Sequence, residues 1–236
     1  MASGLLFYSD VVPLNREIHR GHRIATDVQR FGFAVGSNLV PAVIDEFPAA
    51  APHLPIVFVP GPVGPAACFL TGVRTGCNAL VGADGGWRGD YVPAYLRRYP
   101  FVLGEVKGAE PLVCIDVGRP SLEAPAGDAL FKEDGAESDV LLDHIRLTND
   151  FFTAAKRTEA FVKTLADMGL FRSVNIDAKF ETGETLSLHG FLTVDEEKLG
   201  QLPDEAFLRL RKEGLLVPIY AHLASLACVE RVRKLS

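Results

Sequence analysis

Apolar positions along this chain follow two patterns, one typical of strands and one typical of helices. Short apolar runs bounded by glycine and proline predict strands at residues 31–35, 56–59, 67–73, 78–81, 101–106 and 112–117. The turns that separate 56–59, 67–73 and 78–81 are of the kind that joins antiparallel neighbours. The pattern therefore favours a meander over parallel strands with crossover helices.

Helical spacing dominates the second half of the chain. Asp139 is placed to begin a long helix that runs to Met168 and ends at Gly169, with an apolar face made of Leu142, Ile145, Phe152, Phe161, Val162, Leu165 and Met168. A hairpin follows, with strands at 173–180 and 184–194 joined at Thr182-Gly183. Shorter helices are predicted at 41–51, after Asp195 and Asp204, and from Pro218 onward, and residues 91–99 are predicted to form a short helix or an irregular segment.

These elements predict an α+β fold, in which an antiparallel or mixed β-sheet packs against one long helix and a C-terminal helical segment. We expect a single domain over residues 1–236. The stretch 119–138 is rich in proline, glycine and alanine and is the best candidate for a linker or surface loop. Two lobes, 1–120 and 139–236, are therefore the alternative.

Composition narrows the classes of partner. The 236 residues are 48% hydrophobic and 23% charged, and the net charge of −6 is spread along the chain without a basic run, so nucleic acid is not an expected partner. No apolar stretch approaches the roughly 20 residues that span a bilayer, and Met1–Asp10 lacks the pattern of a signal peptide. We expect a cytoplasmic protein without membrane insertion. Arg231, Arg233 and Lys234 are interpreted as solvated cations that offset the dipole of the last helix.

Cysteine and histidine spacing predicts no cofactor and no metal. The cysteines lie in apolar segments without a C-x-x-C pair, which is typical of reduced core thiols, and Cys77 is expected to be the most exposed of Cys68, Cys77, Cys114 and Cys228. His19 and His22 have a spacing that metal ligands use, but the sequence places no third ligand and surrounds them with arginines. We interpret both as solvated surface residues.

Catalytic motifs are not found: the chain has no G-x-S-x-G elbow, no S-x-x-K and no phosphate-binding glycine loop. Glu46 lies between Ile44 and Phe47 in a predicted helix, where a carboxylate needs a partner such as an arginine. An enzyme whose site assembles from dispersed residues stays an alternative. Its candidate residues are Glu46, Asp116, Arg97, Arg98 and a histidine.

The stretch Trp87–Phe101, here called the aromatic–arginine segment, has the most unusual composition in the chain. It holds the single tryptophan, three of the five tyrosines and three arginines, the residue types that dominate binding hot spots. The residues predicted to bind a ligand or partner are Trp87, Arg88, Tyr91, Tyr95, Arg97, Arg98 and Tyr99, together with Glu46. The structural alternative is that the rings fill a corner of the core while the arginines pair with acids such as Glu46.

Five stretches of the chain resemble the SapC family of bacterial proteins: 10–14, 54–58, the aromatic–arginine segment, 190–199 and 219–223. The family takes its name from surface-layer expression and has no agreed activity, so the resemblance implies no role for any residue. We predict a non-catalytic accessory or binding protein that recognises a peptide, a protein or a small ligand. The alternatives are the dispersed-site enzyme and a surface-layer-associated protein, and the oligomeric state is left open.

Overall fold

A computed structural model describes residues 5–25, 30–105, 108, 110–118, 127–180 and 182–236. The strands are β1 Val11–Pro13, β2 Arg23–Ile24, β3 Leu39–Pro41, β4 Ile56–Val59, β5 Ala66–Leu70, β6 Phe101–Gly104, β7 Leu112–Asp116, β8 Asp128–Ala129, β9 Phe171–Lys179 and β10 Thr185–Val194. The α-helices are α1 Phe47–Ala50, α2 Ala94–Arg97, α3 Asp139–Asp167, α4 Glu196–Gly200, α5 Asp204–Lys212, α6 Leu216–Ser225 and α7 Val229–Leu235. Short 3-10 helices lie at Gly32–Ala34, Ile44–Glu46 and Leu226–Cys228.

The strands pair antiparallel throughout the described ranges. A five-stranded sheet has the order β3-β5-β4-β10-β9, a three-stranded sheet has the order β1-β7-β6, and β2 pairs with β8. The main core lies where the five-stranded sheet meets α1, α3 and α6, and its fully buried side chains include Phe47, Phe58, Phe69, Phe161, Leu165 and Ile219. The predicted α+β class, the long helix and the hairpin are confirmed.

Helix α3 begins at Asp139, the residue that was predicted to cap it, and its N-cap lies one residue earlier. The Ser138 side chain accepts a hydrogen bond from the Leu141 N–H, so Ser138 is the N-cap and Asp139 is the first residue of the helix. In the first turns the buried face passes through Leu141, Thr148 and Phe151, whereas Leu142 is 45% exposed. The predicted apolar face is correct at Ile145 and from Phe161 onward, whereas at Leu142 and Phe152 the buried position is one residue earlier.

Two predicted strands are wrong. Residues 31–35 form a 3-10 turn between Gly32 and Gly36, held by the Phe31 N–H bonding to the Gly85 carbonyl. Residues 78–81 do not form a strand, because the Asn78 side chain accepts the Leu80 N–H and closes a local turn. The pairing that follows is an isolated bridge between Val81 and Trp87.

The stretch 119–138 is predicted to be a linker or surface loop, but its second part packs against the core. Residues 119–126 lie outside the described residues. From 128 onward the chain is ordered against the core: β8 pairs with β2, Leu130 and Phe131 are buried, and Phe131 forms a bridge with Glu137. The lobe boundary stays a prediction.

The last predicted helix is broken into α6 and α7 by the 3-10 turn at 226–228. Within the described part of the chain no single helix has the length and apolar composition of a membrane span, although α5 together with Leu216–Leu235 reaches that composition across a bend of 92°. The break positions α7 against the loop at residues 88–90, where a cleft opens.

Histidine 222 joins α6 to the sheet. Strands β4 and β10 pair at Phe58 and Leu192, and two residues further along that register Ile56 would lie opposite Val194. The His222 ring lies between those two residues instead, with Nδ1 2.9 Å from the Ile56 carbonyl oxygen and Nε2 3.1 Å from the Val194 N–H. One rung of the ladder is therefore replaced by a fully buried imidazole.

Candidate functional site

The aromatic–arginine segment divides into a buried part and an accessible part. Tyr95, Arg98 and Tyr99 are 4%, 4% and 7% exposed, because α2 turns them towards the core. Trp87, Tyr91 and Arg97 are partly exposed, and Arg88 is exposed. The eight predicted residues thus do not form one continuous surface.

Glu46 holds the start of α2. Its Oε1 accepts hydrogen bonds from the Tyr91 hydroxyl at 2.7 Å and from the Ala94 N–H at 2.6 Å, while an Arg97 guanidinium nitrogen lies 3.9 Å away. The expected arginine partner is therefore Arg97, in a long contact. Burial raises the pKa of the Glu46 carboxyl, and its Oε2 has no hydrogen-bond partner within the described residues.

Arg98 is a buried cation enclosed by aromatic rings. Its guanidinium carbon lies 5.6 Å from the Tyr8 ring centroid, 4.5 Å from that of Tyr95 and 4.4 Å from that of Phe151. No carboxylate of the described ranges lies within ion-pair distance, so the faces of the rings stabilise the charge. Burial raises the pKa of the Tyr8 hydroxyl, which keeps that ring neutral beside the cation.

The buried part of the segment binds the chain's own N-terminal residues. The Tyr95 hydroxyl donates to the Leu6 carbonyl at 2.9 Å, and the Tyr8 hydroxyl donates to the Phe101 carbonyl at 2.8 Å. The fully buried Asp116 carboxylate accepts hydrogen bonds from the N–H groups of Ser9, Asp10 and Gly118 and from the hydroxyls of Ser9 and Tyr99. These contacts favour packing over partner binding for Tyr95, Arg98 and Tyr99. The rings fill the core as the structural alternative predicted, but Arg98 packs against rings and does not pair with an acid.

The accessible part of the segment borders a cleft of about 560 Å³, here called the Arg88 cleft. One wall is the loop at residues 88–90, and the opposite wall is the 3-10 turn at 226–228 with α7. Its floor consists of the apolar side chains of Leu54, Leu80 and Val232, which are almost completely buried. The side chains at its rim are charged or polar: His53, Arg88, Asp90, Glu230, Arg231 and Lys234.

Close packing fixes the loop that forms the first wall. The Trp87 Nε1–H donates to the Tyr91 carbonyl at 2.9 Å, closing residues 87–91 into a turn. A Cβ atom at Gly89 would lie 2.9 Å from Trp87 Nε1, so a side chain cannot be accommodated there without movement. The His53 ring lies nearly parallel to the Tyr91 ring, at 7° and 6.5 Å. Trp87 and Tyr91 therefore support the loop at residues 88–90 from the side that faces away from the cleft.

Asp90 links the two walls across the rim. Its carboxylate lies 3.6 Å from His53 Nδ1 and 3.7 Å from an Arg231 guanidinium nitrogen. Sequence reasoning missed this arrangement, since it interpreted the basic residues of the last helix as solvated cations. Arg233 does pair with Glu230 on its own helix, but Arg231 and Lys234 face the cleft.

The prediction for the histidine pair is half wrong. His19 is 2% exposed, with its Nδ1 accepting the Asn15 N–H at 2.9 Å, and its ring contacts His22 at 5.1 Å between centroids. Burial lowers the pKa of His19. Over the ranges that the structure describes, no group of three histidine, cysteine or acidic side chains is close enough to hold a metal ion.

Cysteine exposure matches the expectation. Cys77 is exposed, whereas Cys68 and Cys114 are buried, and burial raises the pKa of the Cys68 thiol to about 12. We expect one fast equivalent of thiol labelling in the native protein at pH 7.5, with Ellman's reagent as the probe. Cys77→Ala should abolish that fast phase and Cys68→Ala should leave it unchanged. A fast phase that persists in Cys77→Ala would contradict the placement of these thiols.

Comparison with protein families returns SapC, whose model matches residues 14–232. No curated protein and no solved structure matches the chain. The matched range contains β2 to β10, α1 to α6, and α7 up to Val232.

Proposed function

This chain belongs to the SapC family, and we propose that it is a non-catalytic accessory protein that binds a small molecule in the Arg88 cleft. The observation that carries the proposal is the cleft itself. Its volume of about 560 Å³ falls within the roughly 300–1,000 Å³ typical of small-molecule sites, and it combines an apolar floor with a few polar groups at the rim.

The rigidity of the first wall supports binding. Trp87 and Tyr91 hold residues 88–90 in one conformation, and Glu46 in turn fixes Tyr91 and the start of α2. A pre-formed site loses little conformational entropy when a ligand enters. In this proposal Arg88 contacts the ligand, while Trp87, Tyr91 and Glu46 position the wall.

The chemistry of the lining favours binding over group transfer. The residues that line the cleft include no serine, threonine or cysteine that could act as a hydroxyl or thiol nucleophile. Asp116 and Glu46 lie outside the lining, and Asp116 already accepts five hydrogen bonds. The dispersed-site enzyme built on those two carboxylates therefore has no support from this cleft.

Filling the cleft tests the proposal. Ala227 is exposed and lines the cleft, whereas Ala224 is exposed one turn earlier and does not. Ala227→Trp is expected to weaken binding of cleft ligands by at least about tenfold, because the indole occupies their volume. Ala224→Trp is the matched control and should bind like the wild type.

The measurement is ligand-observed NMR of a small-molecule fragment library against the three proteins. Fragments that bind the wild type and Ala224→Trp but not Ala227→Trp support the proposal. If every fragment that binds does so equally to Ala227→Trp, or if none binds the wild type, the cleft is not a ligand site.

The pair of His53 and Asp90 favours one catalytic alternative, because an imidazole 3.6 Å from a carboxylate can exchange protons with a bound molecule. The two possibilities differ in the fate of the ligand. A cleft ligand recovered chemically changed from the wild type and unchanged from His53→Gln would replace the binding proposal with the catalytic one.

A further inference from the structure

We propose that the ligand of the Arg88 cleft is an amphipathic anion, with an apolar body on the floor and a carboxylate at Arg88 and Lys234. This inference rests on the proposed function and specifies its ligand class. It follows from which charges on the rim are already paired and which are not.

Both acids that line the cleft lie beside an arginine. Asp90 lies between His53 and Arg231, at 3.6 and 3.7 Å. Glu230 accepts two hydrogen bonds from the Arg233 guanidinium, at 2.6 and 2.7 Å, and that pairing lowers the pKa of the Glu230 carboxyl. Both carboxylates therefore attract a cationic ligand less strongly than an unpaired carboxylate would.

Two cations of the lining lack so close a partner, although the charge of Lys234 contributes to the lowered pKa of the Glu230 carboxyl. Arg88 and Lys234 form no ion pair within 4 Å in the ranges that the structure describes. Asp84, four residues before Arg88, uses its Oδ1 to accept the Gly86 N–H at 3.0 Å. A Cβ atom at Gly82 would clash with Asp84 Oδ1 and lie 3.0 Å from Arg88 Nε, so the missing side chain at Gly82 makes room for both side chains.

The apolar lining of the cleft determines the body of the ligand, as its cations determine the head group. Leu54, Leu80 and Val232 close the bottom of the cleft but are at most 2% exposed, so its accessible apolar surface comes from Ala227 and Leu235. Burial of a hydrocarbon body there is favourable in proportion to its area. A carboxylate joined to that body then meets Arg88, whose planar guanidinium can bind it through two parallel hydrogen bonds.

Three eight-carbon probes separate the contributions of head and body. We expect octanoate to bind the wild-type chain at least about tenfold more tightly than octan-1-ol, and octylamine to bind more weakly than both. Isothermal titration calorimetry at pH 7.5 and low salt measures the three dissociation constants. Ala227→Trp should weaken octanoate and octan-1-ol alike.

The charge variants show which residues meet the head group. Arg88→Gln and Lys234→Gln are each expected to weaken octanoate severalfold while changing octan-1-ol less than about twofold. Arg172→Gln, an exposed arginine on β9 away from the cleft lining, is the matched control and should change neither probe.

Two outcomes separate this inference from the proposed function. If octan-1-ol or octylamine binds as tightly as octanoate and Ala227→Trp removes that binding, the cleft is a ligand site but not one for anions. If octanoate binds Ala227→Trp as well as the wild type, the amphiphile binds elsewhere and the inference is overturned. Failure of all three probes to bind also overturns it, whereas the fragment library decides the proposed function separately.

Discussion

His222→Ala is expected to lower the free energy of unfolding at pH 7.5 by about 4 kcal/mol. The variant leaves the Ile56 carbonyl and the Val194 N–H without the ring that joins them, and it opens a cavity between α6 and the sheet. Each unsatisfied buried backbone group costs about 1–3 kcal/mol. Urea unfolding measures the loss, and His189→Ala, at an exposed histidine on β10, is the control that should change stability little.

The burial of His222 also leads us to expect that the stability of the protein depends on pH. The Val194 N–H can only donate, so Nε2 of His222 must accept and the imidazole is neutral in the folded protein. Burial lowers the pKa of His222 to about 4 from an ordinary 6.5. Between these values the unfolded chain binds the extra proton, so the free energy of unfolding falls as pH decreases from 6.5 to 4, by about 3 kcal/mol from this group.

Comparing the wild type with His222→Ala separates the effect of His222 on the pH dependence of stability from the effects of the other histidines. The stability gap between wild type and His222→Ala should narrow by about 2 kcal/mol when the pH is lowered from 7.5 to 4.5. A gap that stays constant across that range would show that His222 is not held neutral by its partners.

Asp116→Ala is expected to destabilise the protein by about 4 kcal/mol and to release the N-terminal segment from the three-stranded sheet. The carboxylate is fully buried and accepts three backbone N–H groups and two hydroxyls, so its removal leaves several donors without an acceptor. Two of those N–H groups belong to Ser9 and Asp10, directly before β1.

Hydrogen exchange distinguishes release of the segment from general loss of stability. In Asp116→Ala the amides of Ser9 to Leu14 should exchange much faster than those of β4 and β5, which belong to the other sheet. Asp150→Ala, at an exposed position on α3, is the control. Uniform acceleration in both sheets would mean that Asp116 stabilises the whole fold instead of anchoring the N-terminal segment.

Local patterns predicted those parts of the fold that local interactions determine. Helix α3 carries its own cap and its own stop, with Gly169 at a φ of 66°, and the hairpin of β9 and β10 closes at Gly183 with a φ of 87°. Residues 31–35 and 78–81 are apolar enough for strands. Their glycine neighbours and the Asn78 side chain favour turns, which overrides that preference.

The candidate site could be predicted only in part, because burial depends on contacts that are remote in sequence. Tyr95, Arg98 and Tyr99 have the composition of a hot spot, but the N-terminal residues Leu6 and Tyr8 cover them from about 90 positions away. Composition predicted Arg88 as a candidate residue. Its partners across the cleft were not predicted, since no spacing rule joins residues 53–54 and 88–90 to residues 227–235.

The two walls of the cleft come from distant parts of the chain, and this separation affects when the cleft forms during folding. Arg88 and Arg231 are separated by 143 positions, so the cleft closes a very long loop, and its second wall does not exist until α7 has docked. Contacts of such sequence separation form late, after local helices and hairpins. We therefore expect competence to bind a cleft ligand to appear as the last phase of refolding, which makes ligand binding a kinetic probe for arrival of the native state.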